Sequence, residues 1–231
     1  MGESIRVGVC VPSAGMCPIF FAQSVVEMFI NANQVLRSRK DASDFAMRMF
    51  IRQSSNIPNN RQKLVEQALE WGASHILFID DDMIFDPCLL EVLLSRRLPM
   101  VACNYPKRQL KFEFTATKAD RSGYMETTKN SAGFEEAWYC GFGFCLIERQ
   151  VFEKMPKPWF MPYYDTESGD VSSEDNPFCE LVRQAGFKVL IDHAASRQIG
   201  HMGQHIYTWR ENPEQEKEQE MKLHAMLDKA A

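Results

Sequence analysis

The sequence predicts an α/β protein, a mostly parallel sheet flanked by helices with a smaller antiparallel portion after residue 105. Three observations carry that reading. Residues 1 to about 104 alternate strand-like and helix-like patterns, β-α-β-α-β-α-β, the order of a parallel sheet covered by helices. Ile76-Leu77-Phe78-Ile79 is a short apolar run that reads as a strand buried on both faces. Two polar turns, Pro12-Ser13-Ala14-Gly15 and Asp80-Asp81-Asp82, each follow such a strand, and parallel sheets bind ligands at that carboxyl edge.

Val7 to Val11 is the first strand, closed by the Pro12–Gly15 turn. A helix follows with Val25, Phe29, Ala32 and Leu36 on one stripe and Arg37 to Lys40 near its end. Phe45 to Ile51 reads as the second strand, Asn56 to Asn60 as a loop, and Arg61 to Trp71 as a helix stopped by Gly72. Beyond the acidic triplet, Asp86-Pro87 signals a helix start, with Leu89, Leu90, Leu93 and Leu94 facing inward. Met100 to Cys103 is a further buried strand.

After Tyr105, Phe112–Thr117 and Tyr124–Thr128 read as antiparallel strands joined by a turn, and Trp138 to Ile147 as an apolar run interrupted by Gly141 and Gly143. Pro156 to Ser173 is expected to be a long functional or mobile loop. Glu174 to Ala185 reads as a helix, Lys188 to Asp192 as a strand, Gly200–Gly203 as a turn holding His201, and the chain from Asn212 as a charged helix. The expected organisation is one domain with a nucleotide-binding half (1–104), an acceptor-side half (105–210) and a helical tail (211–231).

The 231 residues are 45% apolar and 25% charged, which suits a soluble globular protein with a substantial core. No apolar run reaches the roughly 18 residues of a membrane span, and no secretion signal is legible, so the expected location is cytoplasmic. Seven cysteines without a CxxC pair fit reduced buried thiols better than a disulfide frame or zinc site. A net charge of −5 argues against broad nonspecific nucleic-acid binding.

Three consecutive carboxylates after a buried strand repel one another and resist desolvation, so a cation is the natural partner. Hard ions such as Mg2+ or Mn2+ take carboxylate oxygens together with substrate phosphates. The alternative is a solvated acidic turn. Glu174 and Asp175 at a helix start allow either simple capping or a general base. His201 is a candidate third metal ligand, with His193 and His205 as nearby competitors. Arg61 and Lys107-Arg108 could contact phosphates or be ordinary surface charge.

In order and spacing these landmarks resemble the GT-A-fold glycosyltransferases, in particular the soluble family 2-like group. They are Val9 to Ser13, Arg61 with Leu64-Val65, Ile76 to Met83 with Asp86-Pro87, Tyr105 to Arg108, Cys140 to Gly143, Ser173 to Asp175, and Gly200 to Gly203. The chain is also similar to small stand-alone versions of the pattern found in phage genomes. The resemblance implies a metal-dependent transferase (Mn2+ or Mg2+) that uses a nucleotide-diphosphate sugar, expected to be a UDP-sugar. Asp82 would be the principal aspartate ligand of the metal, with His201. Asp80 would contact the nucleotide ribose or help hold the metal, and Asp81, also on the nucleotide side, leaves the frame of the motif ambiguous. Pro12 and Ser13 would line the base and ribose, Arg61 and Lys107 the phosphates or the Asp turn, and Gly143 the floor of the sugar site. Asp175, beside Glu174, would be the base of an inverting reaction. The acceptor would be a glycan, a protein or a modified nucleic acid such as phage DNA. The alternatives are a nucleotidyltransferase, although Ser13-Ala14-Gly15-Met16 is a poor match to its glycine-rich loop, and a non-catalytic nucleotide-sugar-binding module.

Overall fold

A computed structural model describes residues 4–38, 44–109, 112–166, 169–203 and 206–208. The expected tail helix and His205 lie outside the described residues. The first half runs β1 (Ser4–Ser13), α1 (Ile19–Ser38), β2 (Asp44–Gln53), α2 (Ile57–Glu70), β3 (His75–Ile79), β4 (Met83–Phe85), α3 (Leu89–Ser95) and β5 (Met100–Ala102). Then come β6 (Thr117–Lys118), β7 (Phe134–Tyr139), β8 (Phe144–Glu148), α4 (Arg149–Lys154), β9 (Tyr164–Asp165) and β10 (Asp170–Val171). The rest is α5 (Asp175–Gln184), β11 (Leu190–Asp192), α6 (His193–Ser196), β12 (Ile199–Met202) and β13 (Ile206–Tyr207).

Eight strands form the main sheet in the order β2-β1-β3-β8-β5-β11-β7-β6. β7 and β8 run against the others, so the sheet is mostly parallel and draws strands from both halves of the chain. β3 is central. Ile76 and Phe78 enter the core on one face, with Leu64, Val65, Phe142 and Phe178. Leu77 and Ile79 enter the other, with Val25, Met28 and Leu36 of α1. These four β3 side chains are fully buried, each worth roughly 1.5–3 kcal/mol of apolar transfer. A second sheet, β13-β12-β4, is antiparallel.

The structure corrects several expectations. Asn56–Asn60 is the start of α2 and its cap: the Asn56 side chain accepts from the Asn59 N–H (3.1 Å), and Pro58 occupies the first turn, where its missing N–H costs nothing. Gly72, at φ +88°, ends that helix as expected. α3 starts only at Leu89, because Met83–Phe85 first forms β4 and the Asp86 carboxylate accepts from the Cys88 N–H in a turn. The 138–147 run divides into β7 and the central antiparallel strand β8, with Cys140–Gly143 between them.

The expected 112–128 hairpin is reduced to isolated bridges and β6. Asn104 holds it instead: its Oδ1 accepts from the Ala116 N–H (3.0 Å) and its Nδ2 donates to the Met125 carbonyl (2.7 Å). The 156–173 stretch is anchored by buried Trp159 and Phe160 before it reaches the small β9–β10 hairpin. His201 lies in strand β12, not in a turn.

Candidate active site

Arg61 ties the acidic turn to the start of α5. Its Nη2 donates to Asp80 Oδ1 (2.9 Å), its Nε donates to Glu174 Oε1 (3.0 Å), and the Nε lies 3.8 Å from Asp175 Oδ1. The guanidinium packs over the rings of Phe78 and Phe142 and is nearly inaccessible to water. Burial alone would pull its pKa down, but the carboxylates of Asp80, Asp175 and Glu174 more than offset this and hold it charged. Burial pushes the Asp80 carboxyl up, against the pull of Arg61. The Asp80 N–H donates to the Gly143 carbonyl (3.2 Å), which locks the turn onto the Cys140–Gly143 segment.

Asp82 and His201 meet through the second sheet. β4 and β12 pair with Met83 opposite His201, and the Met202 N–H donates to the Asp82 carbonyl (2.8 Å). His201 Nδ1 lies 2.9 Å from the Pro106 carbonyl, an acceptor only, so Nδ1 carries the proton. That tautomer turns Nε2 toward Asp82 Oδ1, 3.4 Å away, and this buried oxygen has no hydrogen-bond partner. In a neutral ring the Nε2 lone pair would face a carboxylate oxygen, an arrangement that a cation between them relieves. A backbone carbonyl orienting a metal-binding imidazole through its other nitrogen is a recurrent device.

The pair therefore fits a hard divalent ion. Among the described residues no group of three His, Cys, Asp or Glu side chains could hold a metal, so one carboxylate and one imidazole would leave the remaining positions to phosphate oxygens and water. Asp82 Oδ2 accepts from Arg108 Nη1 at 2.8 Å. Asp81 also has one buried oxygen without a partner.

A cleft of about 480 Å³ opens beside His201 and Arg108, lined by these two with Tyr105, Lys107, Thr115, Tyr139, Gly141, Ser173 and Asp175. Asp175 is the first residue of α5 and its Oδ1 is buried without a hydrogen bond; no side chain caps this helix. Burial pushes the Asp175 carboxyl well above its usual range, against the pull of Arg61 and helped by Glu174 and Asp80. Lys107 reaches the same cleft, but its Nζ sits over the Tyr124 ring (3.6 Å) and 3.5 Å from Glu113.

Pro12 and Ser13 lie at the same carboxyl edge of the sheet, since β1 and β3 are parallel neighbours, but they do not line the cleft. Ser13 is occupied locally, its Oγ accepting from the Gly15 N–H (3.0 Å). His193 is buried between Thr127 and Glu135, a structural chain of hydrogen bonds. Two groups at the site were not singled out as binding residues from sequence: Tyr105 and the Pro106 carbonyl. Their signal was the conjunction Tyr105-Pro106-Lys107-Arg108 directly after a buried strand.

No protein-family model matches the chain, and no curated protein matches it by sequence. Its fold is similar to that of solved structures. Protein A197 from STIV aligns at TM-score 0.56 and 15% identity over 86% of both chains. The catalytic domain of Drosophila beta1,4galactosyltransferase 7 in complex with xylobiose aligns at TM-score 0.50 and 14% identity, covering 86% of this chain and 71% of that one. A mutant of the same enzyme, in complex with manganese, UDP-Gal and xylobiose, gives the same values. The chain thus has the mixed α/β, Rossmann-like GT-A type of fold that a glycosyltransferase catalytic domain also has. Among the described residues no helix is long and apolar enough to cross a membrane.

Proposed function

We propose that this protein is a divalent-metal-dependent glycosyltransferase that moves a sugar from a nucleoside-diphosphate donor, a UDP-sugar, to an acceptor hydroxyl. The observation that carries the reading is Asp82 Oδ1 facing, at 3.4 Å, the Nε2 of His201, a residue that lines one cleft together with Asp175. A bound Mn2+ or Mg2+ would supply charge neutralisation for the departing diphosphate. Asp82 and His201 would hold that ion, and Arg61 keeps Asp80 and the turn rigid from behind. Pro12 and Ser13 would meet the base and ribose at the sheet edge, while Gly143 supports the turn from below.

Asp175 would accept the proton of the acceptor hydroxyl as the new glycosidic bond forms, which implies inversion at the anomeric carbon. A carboxylate disfavoured by burial is a stronger base than one in water, as this role requires. The fold shared with a galactosyltransferase domain supports the reading, as does that enzyme's complex with manganese and UDP-Gal. The acceptor would be a glycan, a protein or a modified nucleic acid.

Calorimetry tests the donor site. UDP should bind in the presence of Mn2+, and Asp82→Ala should abolish the metal-dependent part. Intact-mass screening with UDP-sugars and an acceptor panel tests transfer. Binding with neither slow hydrolysis nor transfer would leave a nucleotide-sugar-binding module and defeat the enzymatic reading.

A further inference from the structure

We propose that Arg108 couples metal binding to donor binding: it shares Asp82 with the divalent cation and engages the donor diphosphate once both ligands are in the cleft. The inference rests on the transferase reading above. The two oxygens of Asp82 serve two different partners. Oδ1 faces His201 Nε2, where a metal would bind, whereas Oδ2 accepts from Arg108 Nη1 at 2.8 Å.

A divalent cation on one oxygen and a guanidinium on the other repel each other, so each weakens the other's hold on Asp82. Arg108 has somewhere to go. Its side chain is 49% exposed and lines the cleft, and among the described residues its one polar contact besides Asp82 is a long one, 3.4 Å to the Met202 carbonyl. Lys107 is the less available cation, since Tyr124 and Glu113 hold its ammonium. A diphosphate changes the balance. Its oxygens accept from the planar guanidinium in pairs while also meeting the metal, so both cations gain an anion. Metal and nucleotide then promote each other's binding, and the coupling is reciprocal.

The test compares wild type, Arg108→Gln and Arg108→Lys. Mn2+ binding alone is followed by loss of the free-ion paramagnetic resonance signal, and UDP binding with and without Mn2+ by calorimetry at fixed ionic strength. Arg108→Gln should bind Mn2+ alone about three- to fivefold tighter, the scale of a half-exposed ion pair. The same variant should bind UDP in the presence of Mn2+ about ten- to a hundredfold more weakly, the scale of lost charge-assisted hydrogen bonds. Arg108→Lys keeps the charge, so its Mn2+ affinity should stay near wild type while its UDP affinity falls less. The proposal is overturned if both affinities of Arg108→Gln are unchanged or fall together. A wild-type protein that binds neither Mn2+ nor UDP overturns the donor-site reading as well, a result distinct from the first two.

Discussion

The phenol of Tyr105 lies directly against Gly143, whose backbone N–H donates to the Tyr105 Oη at 2.8 Å. A Cβ added at Gly143 would come within 2.5 Å of Tyr105 Cζ, and one at Gly141 within 2.5 Å of the Oη. Both glycines are thus required by the ring that backs the site. Tyr105 also meets the His201 ring edge-on at 5.1 Å, and Gly143 receives the Asp80 N–H. One aromatic side chain therefore sets the spacing between the acidic turn, the glycine segment and the imidazole.

Gly143→Ala should destabilise the fold by about 1–3 kcal/mol, the usual cost of overpacking, because the Tyr105 ring is buried against it. Tyr105→Phe should cost about 1–3 kcal/mol by leaving a buried N–H without its acceptor. Urea unfolding checks both, and a wild-type midpoint for either variant would contradict the packing described.

Arg61→Met should be more severe, about 3–5 kcal/mol, since it leaves Asp80, Glu174 and Asp175 facing one another without the cation between them. The loss should shrink at acid pH as these carboxylates take up protons. Unfolding measured from pH 4 to 8 gives the slope.

Asp175 links activity to stability. A carboxyl whose pKa is higher in the folded than in the unfolded state holds its proton more tightly when folded. Its contribution therefore favours folding at acid pH and is lost as pH rises through the native value. Asp175→Asn removes the buried charge and should raise Tm at neutral pH while lowering transfer by roughly 10²–10⁴-fold. In the wild type, kcat/KM should rise with pH along a limb lying above the ordinary carboxylate range of about 4. A limb at about 4, or a lower Tm for the variant, would contradict this account.

Asn104→Ala should loosen the 112–127 segment while sparing β3. The buried amide supplies the partners of the Ala116 N–H and the Met125 carbonyl that a longer ladder would have supplied. Amide hydrogen exchange should speed up at Ala116 and nearby, with Leu77 and Phe78 comparatively unaffected.

Local chemistry made much of this legible. The Ile76–Ile79 run could hardly be anything but an internal strand, and the acidic turn with its carboxyl-edge position followed from it. What pattern could not supply was partnership. Nothing in Phe144–Glu148 says that it inserts between β3 and β5 in the opposite direction, because periodicity reports which faces are buried and not which neighbour is paired. Gly200 and Gly203 around His201 looked like a turn, yet the backbone there is held extended by β4, far away in sequence. Arg108 could be read as a phosphate contact or as surface charge, and only the fold shows Asp82 beside it. The start of α2 was missed although both of its signals, Asn56 and Pro58, were present.

The pairing of residues 83–85 with 199–202 also has a temporal side. During synthesis the chain emerges from its N-terminus, and a domain folds as a unit. Asp82 is made early, but β3 gains its neighbour β8, and Asp82 the imidazole that faces it, only when the later half of the chain has been made. The acidic turn therefore waits through about half of the 231 residues for His201, and metal competence would come with closure of the whole sheet, not with the strand that carries the carboxylates.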